Sequence, residues 1–404
     1  MRNLVLAICV VVSSYTVLAG NMVAQHYTEN YSKARAQFLK VCKSLEDSHK
    51  VTGEKFRVPS KQDQDLYVDT CFLRASQPKS KLNNKIVIVT AGVHGVEGAI
   101  GSAVTDLMMK NLPENGLDFL FIHSLNPFGQ KYLRRVTENN VDFSRNWSVD
   151  SRLYRTKNEG YKSFKDYLNP KDKLSGSFFE LAGSYLKMAY YIAQYGIPDL
   201  RQAILKGQYS FPKGLYYGGS SPEPQANFIK DQFETAMSGK EQILHLDIHS
   251  GYGNRGEVHF FPNPIPNHLL PLYKAMFLGY KLDIPDESED FYEVSGDLSS
   301  FLMARYPEKS VVSLALEYGT NNNIDTLGSI RSLQIMRREN QAYHHGVSND
   351  SVSKRVAHEF VEMYNPSDEQ YRRDILEQTA ALWPKILENF SKIDADIAMK
   401  RVTK

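Results

Sequence analysis

The sequence has few cysteines, little excess charge of either sign, and no long apolar run after its first residues. Three cysteines in 404 residues exclude a small disulfide scaffold. The 48 basic and 46 acidic side chains give a formal net charge of +2, which provides no overall attraction to nucleic acid or to an anionic membrane. Apolar residues make up 42% and charged residues 23%, so the composition excludes a disordered, collagen-like or polytopic membrane protein. The length suits two or three domains, or one large α/β domain with insertions.

The first residues predict a secretory signal. Arg2 supplies a positive charge, residues 4–12 form an apolar run, and the small side chain of Ala19 suits a cleavage site. The apolar run is shorter than the roughly 20 residues that span a bilayer, and an uncleaved anchor is the alternative. We therefore expect residues 1–19 to be a signal peptide. The mature chain would be exported, either periplasmic or secreted, with no membrane span after cleavage.

Two cysteines remain after this signal, because Cys9 lies within it. Cys42 lies in a helical pattern and Cys71 in an alternating, strand-like pattern. In an oxidising compartment they could form a disulfide, and two buried thiols are the alternative. No paired-cysteine motif or cysteine–histidine cluster indicates a structural zinc site.

Apolar runs alternate with helical patterns along the chain, which predicts an α/β fold. Residues 86–90 form a continuous, β-branched run that is typical of a strand buried on both faces. Further strands are predicted over residues 117–123, 243–249, 257–261 and 311–317. Helices are predicted over residues 99–110 and 368–392, among others. This alternation favours a largely parallel or mixed sheet with helices on both faces.

Two stretches of the sequence resemble insertions between core elements. The first, residues 151–212, is rich in Lys, Tyr and Phe and has helical segments. The second covers about residues 262–297. Large insertions near strand ends often form lids or pocket walls.

A histidine and a glutamate follow the first buried strand. His94 and Glu97 lie three residues apart in a glycine-rich turn that opens a helix, and His249 ends another predicted strand. Ligands gather at the carboxyl ends of strands in α/β sheets. Two imidazoles and one carboxylate are zinc ligands that leave a fourth position open for water. The same spacing at His26 and Glu29 has no such context and is interpreted as chance.

Other polar residues near strand ends are candidates for chemistry around this ion. Glu317 ends an apolar strand, where a carboxylate indicates a polar cleft and a general base. Asp142 is a candidate partner for a ligand histidine. The arginines in the same region, Arg134, Arg135 and Arg145, could bind a substrate carboxylate or stabilise an oxyanion.

Together these motifs resemble the zinc carboxypeptidase superfamily, the carboxypeptidase A-like enzymes with their succinylglutamate desuccinylase and aspartoacylase relatives. The blocks HGVEG, NPFG, VDFSRN, DIH and LEYGT follow in the family's order between residues 86 and 320. The similarity is greatest to a bacterial branch near the desuccinylase and aspartoacylase relatives. It implies a three-layer α/β/α sandwich with a mixed, mostly parallel sheet of about eight strands. A single domain would cover residues 26–400, with one zinc ion at the carboxyl edge of the sheet.

The resemblance also implies a role for individual residues of the site. His94, Glu97 and His249 match the zinc ligands. Glu317 matches the catalytic acid and base, and Asp142 matches the residue that orients the first ligand histidine.

The substrate-binding residues follow from the same comparison. Arg145 matches the arginine that binds a substrate's terminal carboxylate, and Ser144 stands where carboxypeptidases commonly carry Asn. Either Arg134 or Arg135 matches the arginine that polarises the scissile carbonyl, and Arg135 is preferred. Candidates for the family's substrate-capping tyrosine are Tyr252 and Tyr292.

The activity implied by the resemblance is hydrolysis of an amide bond by a zinc-activated water with Glu317 as general base, as in a metallocarboxypeptidase. The alternatives are an amidase or deacylase of N-acyl amino acids, an amidase of cell-wall peptides, and a zinc-binding pseudoenzyme. The expected partner is a peptide or N-acyl amino acid, not a nucleic acid. A serine hydrolase is disfavoured because the sequence has no GxSxG motif.

Overall fold

A computed structural model describes residues 22–76, 82–113, 116–263, 265–284, 294–322 and 326–393. The predicted signal peptide lies outside the described residues. The strands are β1 (His49–Thr52), β2 (Lys55–Arg57), β3 (Tyr67–Ala75), β4 (Lys85–Ala91), β5 (Asp118–His123), β6 (Gln242–Ser250), β7 (Val258–Phe261) and β8 (Ser310–Tyr318).

The helices lie before, between and after these strands. They are α1 (Tyr31–Ser44), α2 (Gly98–Lys110), α3 (Pro127–Tyr132), α4 (Glu159–Leu168), α5 (Phe178–Tyr195), α6 (Ile197–Leu205), α7 (Pro224–Met237), α8 (Leu270–Met276), α9 (Leu298–Arg305), α10 (Thr326–His345), α11 (Asp350–Tyr364) and α12 (Glu369–Lys392). The strands and helices named from the sequence agree with these bounds to within one residue at each end. No helix in the described part of the chain has both the length and the apolar composition needed to cross a membrane.

All eight strands form one mixed sheet in the order β1-β3-β5-β4-β6-β8-β7, with β2 also paired to β3. Parallel pairing joins the four central strands β5, β4, β6 and β8. The strands at both ends of the sheet pair antiparallel. The prediction of an α/β fold with a mixed sheet of about eight strands is therefore confirmed, with the parallel pairing confined to the centre.

The central strand β4 shows why the sheet is covered on both faces. All seven of its residues are buried, and alternate side chains point to opposite faces. Val87 and Val89 pack with apolar side chains of α1, α2, α8 and α12. Ile86 and Ile88 pack with those of α7 and α9 on the other face. Because β4 is buried on both faces, its sequence is a continuous apolar run rather than an alternating one.

The first predicted insertion contains α4, α5 and α6. These helices share a separate apolar cluster with α10 and α11. Polar contacts add to the packing, because the Ser184 hydroxyl donates to Gln334 over 2.7 Å and Arg337 donates to the Tyr167 carbonyl over 2.7 Å. The insertion therefore packs on helices that follow β8, far along the sequence.

A disulfide joins helix α1 to strand β3. Cys42 and Cys71 are bonded, with their Cα atoms 5.9 Å apart. Both lie in the apolar cluster on one face of the sheet. Of the two alternatives left by the sequence, the structure has the disulfide rather than two thiols. Such a cross-link stabilises a fold mainly by restricting the unfolded chain, typically by about 2–4 kcal/mol.

His123, at the end of β5, is a buried histidine that titrates far from its usual range. Its ring stacks on Phe38 with centroids 5.1 Å apart, and Nε2 lies 3.1 Å from the Ser102 hydroxyl. Burial lowers the pKa of His123 to about 3, and the nearby Arg35 charge lowers it further. The ring is therefore neutral in the folded protein at neutral and mildly acidic pH.

We expect His123 to make the fold less stable as the pH falls from about 6.5 to about 3. In this window the unfolded chain binds a proton on His123 that the folded chain does not bind, so stability is lost at about 1.4 kcal/mol per pH unit. His123→Gln should remove this contribution from the slope of unfolding free energy against pH, measured by chemical denaturation. The exposed His358→Gln is the control. An unchanged slope in His123→Gln would contradict the assignment.

Candidate metal centre

Three parallel strands end beside one another at the edge of the sheet where the predicted site residues lie. After β4, Gly92 takes a positive φ of 74° and turns the chain into a short 3-10 turn, Gly95–Glu97, that leads into α2. Strand β6 ends with His249 and Ser250. In the β6–β8 pairing, His249 lies directly opposite Glu317.

Two glycines of the sequence motifs explain how this turn packs. A Cβ atom on Gly95 would lie 2.0 Å from the carbonyl carbon of Gly129, so the two backbones touch where no side chain fits. Asn126 holds the second loop by accepting from the Gly129 amide over 2.9 Å. The HGVEG and NPFG motifs therefore form one contact that fixes the position of His94 and Glu97.

His94, Glu97 and His249 are brought together into a group that could hold a metal ion. Each offers one ligand atom, and these atoms lie within 4.8 Å of one another. His94 Nδ1 is 2.8 Å from Glu97 Oε1, and His249 Nδ1 is 3.2 Å from Glu97 Oε2. All three side chains are buried. Among the residues that the structure describes, no other group of three such side chains is found.

The second nitrogen of each histidine faces a carboxylate. His94 Nε2 lies 3.2 Å from Asp142 Oδ1 and 2.8 Å from the Ser144 hydroxyl. His249 Nε2 lies 2.9 Å from Asp247 Oδ2. Metal-binding histidines usually donate their second N–H to such a partner, which fixes the ring and raises its basicity. In both rings this arrangement directs Nδ1 toward Glu97, so the donor set fits a metal ion.

Asp247 is a site residue that the sequence reasoning did not assign. Its other oxygen accepts from the Thr90 hydroxyl over 2.6 Å, and Thr90 is 2.9 Å from His245 Nε2. His245 Nδ1 in turn contacts Ser313 at 2.7 Å, and burial lowers the pKa of His245 to about 4. His245 is thus a neutral, packed residue below the site. Because alternate strand residues share a face, the spacing of Asp247 and His249 was the available signal.

Arg135 lies among the acidic groups of the centre. Its guanidinium is 3.3 Å from Asp142, 3.4 Å from Glu97 and 2.7 Å from His94 Nε2. Burial alone would raise the pKa of Asp142, but the charges of Arg135, His94 and Arg145 hold it well below its usual value. His94 Nε2 can donate to Asp142 or accept from Arg135, and the first state leaves Nδ1 free for a metal ion.

Arg134, the neighbouring candidate, points elsewhere. Its Nε lies 2.6 Å from Glu339, and its guanidinium carbon is 3.4 Å from the centre of the Tyr343 ring. Arg135 therefore lies at the centre, whereas Arg134 forms a buried ion pair with Glu339 of α10. Consecutive residues in an irregular loop point in different directions, and the sequence does not reveal which one turns inward.

Glu317 lies at the same centre, and one of its two carboxylate oxygens is unpaired. Its Oε2 is shielded from solvent and has no hydrogen-bond partner among the described residues. Burial raises the pKa of Glu317, and the nearby Glu97 carboxylate raises it further, against the opposing charge of His249. A carboxylate with a raised pKa and a free oxygen beside three ligand atoms is suited to accept a proton.

A cavity of about 610 Å³ is lined by His94, Glu97, Arg135 and Glu317. Arg145 lines it and is held in place by donating to the Ser144 hydroxyl over 2.7 Å and to the Leu205 carbonyl over 2.8 Å. Tyr252 also lines the cavity, whereas the other capping candidate, Tyr292, lies outside the described residues. Tyr364 was not predicted, and its hydroxyl lies 3.3 Å from Arg135.

Comparison with families and curated proteins gives one match. The family described as "Protein of unknown function (DUF2817)" matches residues 27–378 of this chain. A search of curated proteins finds no match. The family match thus covers both the sheet and the candidate metal centre.

Several solved structures are similar to the chain. The carboxypeptidase A from Helicoverpa armigera is 14% identical, with 87% of this chain and 81% of that chain covered and a TM-score of 0.41. A metallo-carboxypeptidase from Burkholderia cenocepacia is 11% identical, with 85% and 68% covered and a TM-score of 0.36. An aspartoacylase family protein from Mesorhizobium loti is 12% identical, with 75% and 70% covered and a TM-score of 0.32. Carboxypeptidase and aspartoacylase, the words in these names, are also those of the superfamily that the motifs resemble.

We expect Asp247→Asn to weaken metal binding by about 10–100-fold, because the amide no longer orients His249 as a carboxylate does. Competition for Zn²⁺ with a chromogenic chelator measures this affinity. Asp106→Asn is a matched control, since Asp106 also pairs with a histidine, His26, at 2.6 Å, but away from the centre. Equal effects of the two substitutions would show that Asp247 has no specific role.

Proposed function

The chain belongs to the DUF2817 family, and we propose that it is a zinc-dependent hydrolase of amide bonds, acting as a metallocarboxypeptidase. The observation that carries this proposal is the unpaired oxygen of Glu317 beside the group formed by His94, Glu97 and His249. A site built only to bind a metal ion has no need of a further carboxylate with a raised pKa. This is also the argument against a zinc-binding pseudoenzyme.

Zinc is the proposed metal because two imidazole nitrogens and one carboxylate are the donor set of many catalytic zinc sites. When bound, the ion would polarise a substrate carbonyl and lower the pKa of water toward about 7. His94, Glu97 and His249 would hold one ion, with Asp142 and Asp247 fixing the two rings. The negative charge of these buried carboxylates is a further reason for a cation to bind here.

Glu317 is proposed as the general base and then the general acid. Its free Oε2 would take a proton from the attacking water and pass it to the leaving amine. The raised pKa of Glu317 brings the group closer to the range in which it can both accept and return a proton. The position of Glu317 opposite His249 in the sheet keeps the carboxylate beside the ligand group.

Two arginines would bind the substrate's negative charge. The Arg135 guanidinium would stabilise the oxyanion that develops on the scissile carbonyl, where a preorganised donor is worth about 10²–10³ in rate. Arg145 would bind a substrate carboxylate, and its fixed position next to Ser144 supports this role. An amide substrate with a free carboxylate fits this pair of charges.

A second candidate function is an amidase or deacylase of N-acyl amino acids, or an amidase of cell-wall peptides. The apolar part of the cavity favours the first of these, because an acyl chain would bury well there. Both functions use the same chemistry and differ in what lies on the acyl side of the bond. We also propose that the protein acts after export, which the disulfide supports because disulfides persist in oxidising compartments.

We expect Glu317→Gln to lower kcat by about 10²–10⁴-fold while metal content is unchanged, because the amide cannot accept the proton. Amine release from a panel of short peptides and N-acyl amino acids, with bound-metal analysis and a chelator control, measures both. Glu339→Gln is a matched control, a glutamate whose pKa is also raised by burial but which pairs with Arg134. A zinc-loaded Glu317→Gln variant with full activity would defeat the proposed function.

The neighbouring arginines offer a second test of the proposal. Arg135→Lys should lower kcat/KM by about 10²-fold, because a single ammonium does not replace the guanidinium at the carbonyl. Arg134→Lys should change thermal stability more than activity, since Arg134 pairs with Glu339 outside the centre. Steady-state kinetics and thermal melting compare the two variants. The reverse pattern would assign the catalytic role to Arg134.

A further inference from the structure

Helix α5 of the insertion is apolar on two opposite sides. Met188 and Ile192 line the catalytic cavity. Phe179, Leu186 and Tyr190 lie roughly 160–200° around the helix from Met188, given 3.6 residues per turn. A helix that is apolar on all sides is normally enclosed by protein or lipid.

The outer side of α5 is exposed. Phe179 is 85% exposed, Leu186 73% and Tyr190 61%, and Phe178 at the start of the helix is 77% exposed. Single exposed apolar residues are ordinary, but four large ones on a single helix form a patch. Such patches mark contact with a partner or a membrane.

The inner side of α5 leads into the apolar part of the catalytic cavity. This part is lined by side chains of α5, α6 and α10, namely Met188, Ile192, Leu200, Ile204, Ile330 and Leu333. Arg145, His94, Glu97 and Glu317 line the same cavity. One helix therefore separates an apolar chamber beside the chemistry from an apolar outer surface.

The net positive charge of residues 151–212 favours binding to an anionic surface. Residues 151–212 contain ten Lys and Arg and five Asp and Glu, although the whole chain has a net charge of only +2. The rest of the chain is therefore net negative. Lys171, Lys173 and Lys187 are exposed, and Lys187 lies on α5 itself. Basic residues beside exposed aromatic and aliphatic side chains are typical of helices that lie on anionic lipid.

We propose that the outer side of α5 binds an anionic lipid surface and that the substrate carries a long aliphatic acyl chain. The chain would pass from that surface into the apolar part of the cavity, which places the amide bond near Glu317. Lipid binding is independent of the proposed function, whereas the acyl-chain preference rests on it. Tyr190 is compatible with such a surface, because a tyrosine ring suits the boundary between apolar chains and water.

Flotation with vesicles tests the surface. The full chain should float with phosphatidylcholine vesicles that contain about one third phosphatidylglycerol, and much less with phosphatidylcholine alone. Phe179→Ser with Leu186→Ser should weaken binding by about tenfold or more, and high salt should weaken it as well. Leu278→Ser, at a residue that is 76% exposed and lies outside residues 151–212, is the matched control. No binding to anionic vesicles, or unchanged binding of the double variant, would overturn the proposal.

The same variants distinguish lipid from a second copy of the chain. Light scattering without lipid should give the same mass for the wild type and for Phe179→Ser with Leu186→Ser. A wild-type dimer that the double variant dissociates would assign this side of α5 to self-association and overturn lipid binding.

A series of N-acyl amino acids tests the chain preference. With zinc-loaded protein, kcat/KM should rise by about tenfold or more from an acetyl to a dodecanoyl substrate, because added methylenes are buried. Ile192→Trp should reduce turnover of the dodecanoyl substrate far more than that of the acetyl one, with thermal melting as the folding control. Turnover that is indifferent to chain length overturns the acyl-chain preference. No turnover of any substrate counts against the proposed function, while flotation still decides lipid binding.

Discussion

The site depends on one constraint, which is that three parallel strands end together at one edge of the sheet. The residues at the carboxyl ends of β4, β6 and β8 are far apart in sequence, but the three strands are neighbours in the order β4-β6-β8. Because β4 and most of β6 are buried on both faces, these strands cannot slide without moving apolar side chains into water. The core therefore fixes the relative positions of His94, His249 and Glu317.

Most of the buried carboxylates at the centre are paired with positively charged or hydrogen-bonding groups. Carboxylates are costly to bury unless they are paired and hydrogen bonded. Glu97 contacts two histidines and accepts from the Ser250 amide over 3.1 Å, while Asp142 is held by Arg135 and His94. The exception is Glu317, whose second oxygen has no such partner among the described residues. A buried polar atom that is left unpaired calls for an explanation, and a role in chemistry is the one proposed for Glu317.

Residues 151–212, the first predicted insertion, supply helices that pack beside the candidate metal centre. Helices α5 and α6 pack on α10 and α11 through their own apolar cluster, separate from the two clusters that cover the sheet. The cavity lies where residues 151–212 meet the edge of the sheet, so much of its polar lining comes from strand ends and much of its apolar lining from helices. Under the proposed function, the chemistry and the choice of substrate would be carried by different parts of the chain, as is common where loops and insertions extend from a rigid scaffold.

The sequence by itself determined five of the eight strands in the described part of the chain, the bounds of two helices and the residues of the candidate metal centre. Apolar periodicity is a local property, and the strand-end motifs mark a common edge once a parallel sheet is inferred. Only the tertiary structure decided that Cys42 pairs with Cys71, that Arg135 rather than Arg134 faces the centre, and that Asp247 holds His249. Only the tertiary structure showed that α5 lines the cavity. These outcomes depend on the direction of single side chains and on contacts between distant segments, which neighbouring residues in the sequence do not specify.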